Sequence, residues 1–317
     1  MSGRDRVVVA IGGNSLISDP EHVSVEDQFD AARETDQHIA GLVAEGLDVT
    51  VTHGNGPQVG FVLLRSELAR HKVHEVPLDV CVADTQGAIG YILQQSLVSD
   101  LRERGIERGV AAVVTQVEVD PEDPAFATPT KPIGPFMTET EAAERREQDG
   151  WKVAEDANRG WRRVVASPHP KRIVEIDAIR HLVDGGFVVI AVGGGGVPVV
   201  PDEAGHLRGI AAVIDKDHAG ALLAREIGAG RMIISTAVEK VALHFGTERE
   251  EPIDHLTLAE ARTYLAEGHH FAPGSMAPKI EAVISFLEHG GEEAIITTPQ
   301  KLEEAVAGRA GTRITSR

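Results

Sequence analysis

The 317-residue chain is short of several things, and each shortage excludes a class of protein. A single cysteine, Cys81, rules out an internal disulfide and a cysteine-built zinc site, and reads as a small buried residue. Basic residues number 31 against 49 acidic ones, a net charge of −18, and no basic stripe offsets it. Nucleic acid and anionic membrane surfaces are therefore not expected as partners, and an anionic substrate requires a local positive pocket. No apolar run approaches the roughly 18 residues of a membrane span. The opening MSGRDRVVVA lacks the layout of a signal peptide, so a cytoplasmic location is expected.

Familiar chemical motifs are missing as well. No Gly-Lys pair occurs, which removes the Walker A loop, and HRD, DFG, G-x-S-x-G and H-E-x-x-H are absent. The loop around Gly54 and Gly56 has Val59 where a dinucleotide fingerprint needs a third glycine. The pair His269-His270 is no evidence of a metal site and reads as a solvated turn. Lysine itself is scarce: of the 31 basic residues only eight are lysine. A chain that prefers arginine for solvation has kept lysine at Lys131, Lys216 and Lys279, each beside Pro or Asp. A compact ammonium acts as a point charge, which suits phosphoryl transfer better than a planar fork.

What is present is organised around residues 187–218. An apolar run over 187–192 breaks into Gly193 to Gly196, and the stretch closes on Asp215-Lys216-Asp217 at the start of a helix predicted over 216–228. A buried strand ending in bare glycine backbone turns its N–H groups towards an anion. A helix N-terminus favours negative charge too. Alone, the glycines read as a tight turn and Asp215 as an N-cap. The same switch recurs where Arg6 to Ile11 runs into Gly12-Gly13-Asn14, and where residues 47–52 run into His53-Gly54-Asn55-Gly56-Pro57. Three such loops favour a phosphate site.

With 42% hydrophobic and 25% charged residues, the length allows one large α/β domain or two lobes. Helices are expected over 25–45, 84–104 and 257–267, and strands over 110–119, 231–235 and 294–297. This alternation implies a mainly parallel sheet covered by helices on both faces. Between 120 and 163 the composition turns to Pro, Thr, Glu and Arg, which reads as a protruding insertion or lid. Lys131 within it is either functional or a solvated turn lysine. Pro278 marks a helix start with Lys279 in its first turn, against the dipole. An anionic ligand resolves that conflict; solvent exposure is the alternative.

The loops in order, AIGGNSL (10–16), HGNGPQVG (53–60), PLDVC (77–81), QGAIGY (86–91), DPAFATPTKPIGPF (123–136), RRVVASPHP (162–170), GGGGVPVV (193–200), AVIDKD (212–217) and GSMAPKIEA (274–282), resemble the carbamate kinases of the amino-acid kinase superfamily. The resemblance implies a three-layer αβα sandwich with a mainly parallel central sheet and a protruding insertion. One domain spans 1–317, with an acceptor side over 1–185, a lid over 120–163 and a nucleotide side over 186–317. It further implies a homodimer and reversible phosphoryl transfer between MgATP and carbamate, giving ADP and carbamoyl phosphate, in arginine or purine catabolism.

By the same resemblance, Lys131, Lys216 and Lys279 are active-site lysines and Asp217 the carboxylate that orients them. Gly12, Gly13, Asn14, Gly54, Asn55, Gly56, Gly194 and Gly195 serve the substrate. The nucleotide lies near Lys216, Met276, Pro278 and Lys279, and its phosphates carry Mg2+ without dedicated protein ligands. The chain departs from the family at Asp84, where an apolar residue is usual, and at Ser15, His169, Ala237 and Ala277. Two other readings keep the pocket: phosphorylation of another small carboxylate, phosphate or amino acid, and a nucleotide sensor without chemistry.

Overall fold

The computed structural model describes residues 5–12, 24–155, 160–272 and 274–317. Strand β1 (Arg6–Ile11) is apolar at successive positions because it is covered on both faces. Val7, Val9 and Ile11 enter one core, Val8 and Ala10 the other. It sits near the middle of an eight-stranded sheet with β2 (Asp48–His53), β3 (Val110–Ala112), β9 (Val188–Ile190), β12 (Arg231–Ser235), β15 (His255–Thr257), β16 (Glu293–Thr297) and β17 (Thr312–Thr315). The order is β15-β17-β16-β12-β1-β2-β9-β3. Every neighbouring pair is parallel except β16 with β17.

Helices α1 (Val25–Ala44), α3 (Leu78–Glu103) and α9 (Leu302–Val306) cover one face, and α5 (Ile176–Asp184), α6 (Lys216–Glu226), α7 (Leu258–Glu267) and α8 (Met276–Glu288) cover the other. The result is the expected three-layer αβα sandwich. Helix α1 begins where expected because Ser24 and Asp27 form a capping box. Helix α3 begins six residues before the expected start, directly after Pro77. Strand β9 belongs to the second half of the chain yet lies between β2 and β3 of the first, so the two halves share one sheet.

The expected strand over 110–119 is two strands in two sheets. Residues after β3 leave the main sheet, and β4 (Gln116–Val119) joins β8 (Pro170–Ile173), β10 (Val197–Pro201) and β11 (Leu207–Gly209) in the order β11-β10-β4-β8. The break falls at Thr115, whose backbone N–H donates to the Gln86 side chain, while its C=O is shared between Gln86 Nε2 and the Val197 N–H of β10. In the insertion β5 (Lys131–Met137), β6 (Val153–Glu155) and β7 (Trp161–Val165) form a sheet in the order β5-β7-β6, with α4 (Glu139–Asp149) beside it. Strand β5 rests on α2 (Gly56–Ala69), where any Cβ on Gly60 would overlap the backbone of Gly134. Ile133 is buried there among Val59, Leu63 and Val82, which contributes about 1.5–3 kcal/mol and fixes the strand that begins with Lys131. A short hairpin of β13 (Ala242–Leu243) and β14 (Glu251–Pro252) completes the described elements. Among the described residues no helix is long and apolar enough to cross a membrane.

Candidate active site

A cleft of about 1000 Å³ opens at the carboxyl ends of the central strands. Gly12, Gly54, Thr236 and Thr298, which line it, directly follow β1, β2, β12 and β16. This is the end of an open α/β sheet where ligands bind. Three helices start at its wall: α2 with Gly56 and Pro57, α6 with Lys216 and Asp217, and α8 with Met276, Pro278 and Lys279. Asn55 does not cap α2 with a side-chain bond, which leaves first-turn amides there for another acceptor, whereas in α8 the Met276 and Ala277 amides donate to the Ala272 carbonyl.

The glycine run after β9 is held from below. Val192 has a left-handed φ of 57°, a conformation that costs on the order of 1–3 kcal/mol for such a residue. Its N–H donates to Thr115 Oγ1 at 3.0 Å, and its carbonyl accepts from Thr52 Oγ1 at 3.0 Å. Gln86 Nε2 donates to the Gly193 carbonyl at 2.9 Å, tying the run to α3. Gly195 has φ +91° and lies so close to the Ile214 carbonyl that a Cβ would collide with it. Gly194 faces the cleft, whereas Gly195 is packed against Ile214 beside it.

The three singled-out lysines converge here. Lys216 Nζ lies 2.5 Å from Asp217 Oδ1, and Lys279 Nζ lies 2.8 Å from Asp217 Oδ2. Lys131 Nζ reaches Asp215 Oδ2 at 2.5 Å from across the insertion. Asp217 thus orients two of the lysines rather than all three, and Asp215 holds the third while also capping α6 through Asp217 N. Lys131 is half-buried and ion-paired, not a solvated turn lysine. The conflict between Lys279 and the α8 dipole is relieved within the protein by Asp217.

Electrostatics at this inner end favour an anion. Three ammonium groups meet two carboxylates, leaving one positive charge unmatched. Burial raises the pKa of the Asp217 carboxyl, but Lys216 and Lys279 outweigh it and hold the group below its ordinary range. Asp215 is likewise held well down, with Lys131 overcoming the cost of burial. Burial, aided by Lys279, pulls the Lys216 ammonium below its usual value despite Asp217, whereas in Lys279 Asp217 prevails over burial and the pKa rises. A further anion beside Lys216 would favour its charged form. His53, buried against Gly193, is pushed down to about 4 by burial; the Gly54 carbonyl opposes the shift and the Lys216 charge adds to it.

The expected residues Gly12, Gly54, Asn55, Gly56, Gly194, Met276 and Pro278 line the cleft with the lysines. Gly13 and Asn14, and with them Ser15, lie outside the described residues. Of the departures, Ala237 lines the cleft, Asp84 points to solvent from α3, and His169 packs against the His218 ring at 4.9 Å. Asp215 was read from sequence as an N-cap, which it is, but not as the partner of Lys131, and the supporting roles of Gln86, Thr115 and His53 were not assigned. His53, Gln86 and Asp215 do stand in the motifs HGNGPQVG, QGAIGY and AVIDKD.

The profile of the Amino acid kinase family matches residues 5–298. The chain belongs to the amino acid kinase family. Within that family it is 51% identical to the carbamate kinase-like protein YahI of Escherichia coli over 98% of this chain and 99% of that protein. It is 47% identical to the carbamate kinase of Pyrococcus horikoshii, again over 98% and 99% of the two chains. The structure of the carbamate kinase of Giardia lamblia bound to AMP-PNP superposes with a TM-score of 0.89 at 37% identity, covering 99% of each chain.

Proposed function

We propose that this amino acid kinase family member is a carbamate kinase, transferring the γ-phosphoryl group of MgATP to carbamate, and in reverse from carbamoyl phosphate to ADP. The observation that carries the reading is the convergence of Lys131, Lys216 and Lys279 with two carboxylates on a glycine loop, where one positive charge stays unmatched. The P. horikoshii and G. lamblia relatives named as carbamate kinases support the acceptor. In the forward direction a carbamate oxygen bonds to the γ-phosphorus as the bond to the β-phosphate oxygen breaks, and the electron pair leaves with ADP. Carbamate is already anionic, so no residue has to remove a proton. Negative charge spreads over the transferring oxygens, and preorganised ammoniums and amides are complementary to it.

In this reading residues 1–185 hold the acceptor through Gly12, Gly13, Asn14, Gly54, Asn55 and Gly56, and Gly194 and Gly195 meet it from the 186–317 side. Residues 120–163 carry Lys131 over the site. The nucleotide occupies the 186–317 side along Met276, Pro278, Lys216 and Lys279. Asp215 and Asp217 are both engaged by lysines, so the donor set suits Mg2+ held mainly by nucleotide phosphates, where it screens their charge. We also propose a homodimer. Supporting it, exposed Tyr91 of α3 meets Phe29 of α1 edge-on at 6.0 Å, and Val25 one turn earlier on α1 is exposed as well.

The test is ATP formation from ADP and carbamoyl phosphate with magnesium present. Turnover is expected, and its absence rejects the reading. The designation of the 51% identical relative as carbamate kinase-like keeps a second acceptor in play. A panel of small carboxylates and phosphates in which carbamate is the poorest acceptor favours that alternative.

A further inference from the structure

Three histidines that are not neighbours in sequence as a group meet beside the cleft, which His270 lines. His244 follows β13 and holds a left-handed φ of 51°, unusual for a residue with a side chain. His269 and His270 follow Gly268, which ends α7. Ring centroids lie 4.1 Å apart for His269 and His270, 4.5 Å for His244 and His270, and 5.7 Å for His244 and His269. One ring nitrogen from each comes within 4.8 Å of the other two. The pair expected to be a solvated turn is therefore half wrong: His270 is only 5% exposed.

The hydrogen bonds decide which nitrogens carry lone pairs. His270 Nε2 lies 2.5 Å from Glu267 Oε2, and a carboxylate only accepts, so Nε2 carries the proton. In the neutral ring Nδ1 then holds a buried lone pair, and it has no hydrogen-bond partner among the described residues. A buried unanswered acceptor costs about 1–3 kcal/mol. His269 Nδ1 donates to the Glu267 carbonyl at 3.0 Å, which leaves the lone pair on its Nε2. One residue, Glu267, thus orients both rings in the manner of a carboxylate–histidine pair behind a metal.

We propose that His244, His269 and His270 form a binding site for a borderline transition-metal ion such as Zn2+ or Co2+, with Glu267 as the positioning residue. Three neutral imidazoles suit such ions and not Mg2+ or Ca2+, which prefer oxygen. Tetrahedral ligation at about 2.0–2.1 Å puts nitrogens roughly 3.3 Å apart, so the rings close inwards by rotating. The His269 side chain is 58% exposed and has room to do so. The ion ties the β13 hairpin to the connection between α7 and α8, where His270 lines the cleft near Phe245 and Phe271.

The test titrates the full chain, stripped with chelator and free of magnesium, with Co2+ and then with Zn2+ in competition. One equivalent is expected, with visible ligand-field absorption for Co2+. His269→Ala and His244→Ala should each weaken it at least tenfold, and Glu267→Ala by about 10–100-fold. Circular dichroism checks the fold of each variant, and His269, being exposed, is the safest substitution. No stoichiometric binding overturns the proposal. So does binding that survives His269→Ala unchanged, or that is abolished by His169→Ala at the separate His169–His218 pair.

Discussion

The central sheet has a cleft at each end, similar in size and opposite in charge logic. The one at the amino ends, about 850 Å³, is lined by Asp5, Arg6, Asp48 and Asp184. Its cations are arginines, and two of those at the strand starts fork between acids. Arg6 pairs with Asp184 and Asp48, Arg231 beside it with Asp5 and Glu293, and Arg108 with Asp48 at 2.5 Å. Carboxylates there match or exceed the guanidiniums, and spare N–H groups go to carbonyls such as Ile227 and Gly186. At the inner wall of the carboxyl-end cleft the cations are lysines, three of them on two carboxylates, and glycine loops replace side chains. A closed arginine network stabilises strand ends; an open lysine cluster awaits an anion.

Substitutions at the two ends should separate these roles. The largest effect is expected for Asp217→Asn, which leaves two buried ammoniums without their shared carboxylate. Urea unfolding should show a loss of about 3–5 kcal/mol. A loss below about 1 kcal/mol would mean that the cluster is not held as described. Next comes Lys216→Ala, which should lower turnover by about 10² or more, the scale of losing one preorganised donor, while Arg225→Ala at the amino-end cleft leaves it unchanged. Equal effects from the two would erase the distinction between the clefts.

His53 sharpens the comparison through pH. Its folded imidazole takes a proton only near pH 4, against 6.5 ordinarily, so between these values the unfolded chain binds more protons. Stability should fall as pH drops through that window, by about 3 kcal/mol from this group. His53→Asn should flatten the slope, measured as the urea midpoint against pH, and an unchanged slope would discount the buried imidazole. The smallest effect belongs to the amino end. Asp184→Asn breaks a pair whose carboxylate side chain is 63% exposed, and should cost no more than about 1 kcal/mol.

Much of this molecule was legible in its sequence. Strands β1 and β12 fall at their expected bounds because a run apolar on both faces has one stable place, the middle of a parallel sheet. The glycine loops were legible because backbone freedom is a property of single residues. The break at Thr115 was not, since it depends on a glutamine 29 positions earlier accepting from the Thr115 N–H. Nor was the burial of His270, which needs the turn at His244 and the ring of Tyr264 beside it.

The sequence by itself determined the alternation of strands and helices, the places where the chain runs bare of side chains, and the scarcity of lysine that marked three positions. These follow from periodicity and residue chemistry, which act over a few neighbours. Only the tertiary structure decided that Asp215 takes Lys131 from 84 residues away and Asp217 takes Lys279 from 62. It alone gathered three ammonium groups on two carboxylates at one end of the sheet and set arginines among acids at the other. Coulomb forces depend on separation in space, and the packing of β5 on α2 and of α8 on α6 sets that separation.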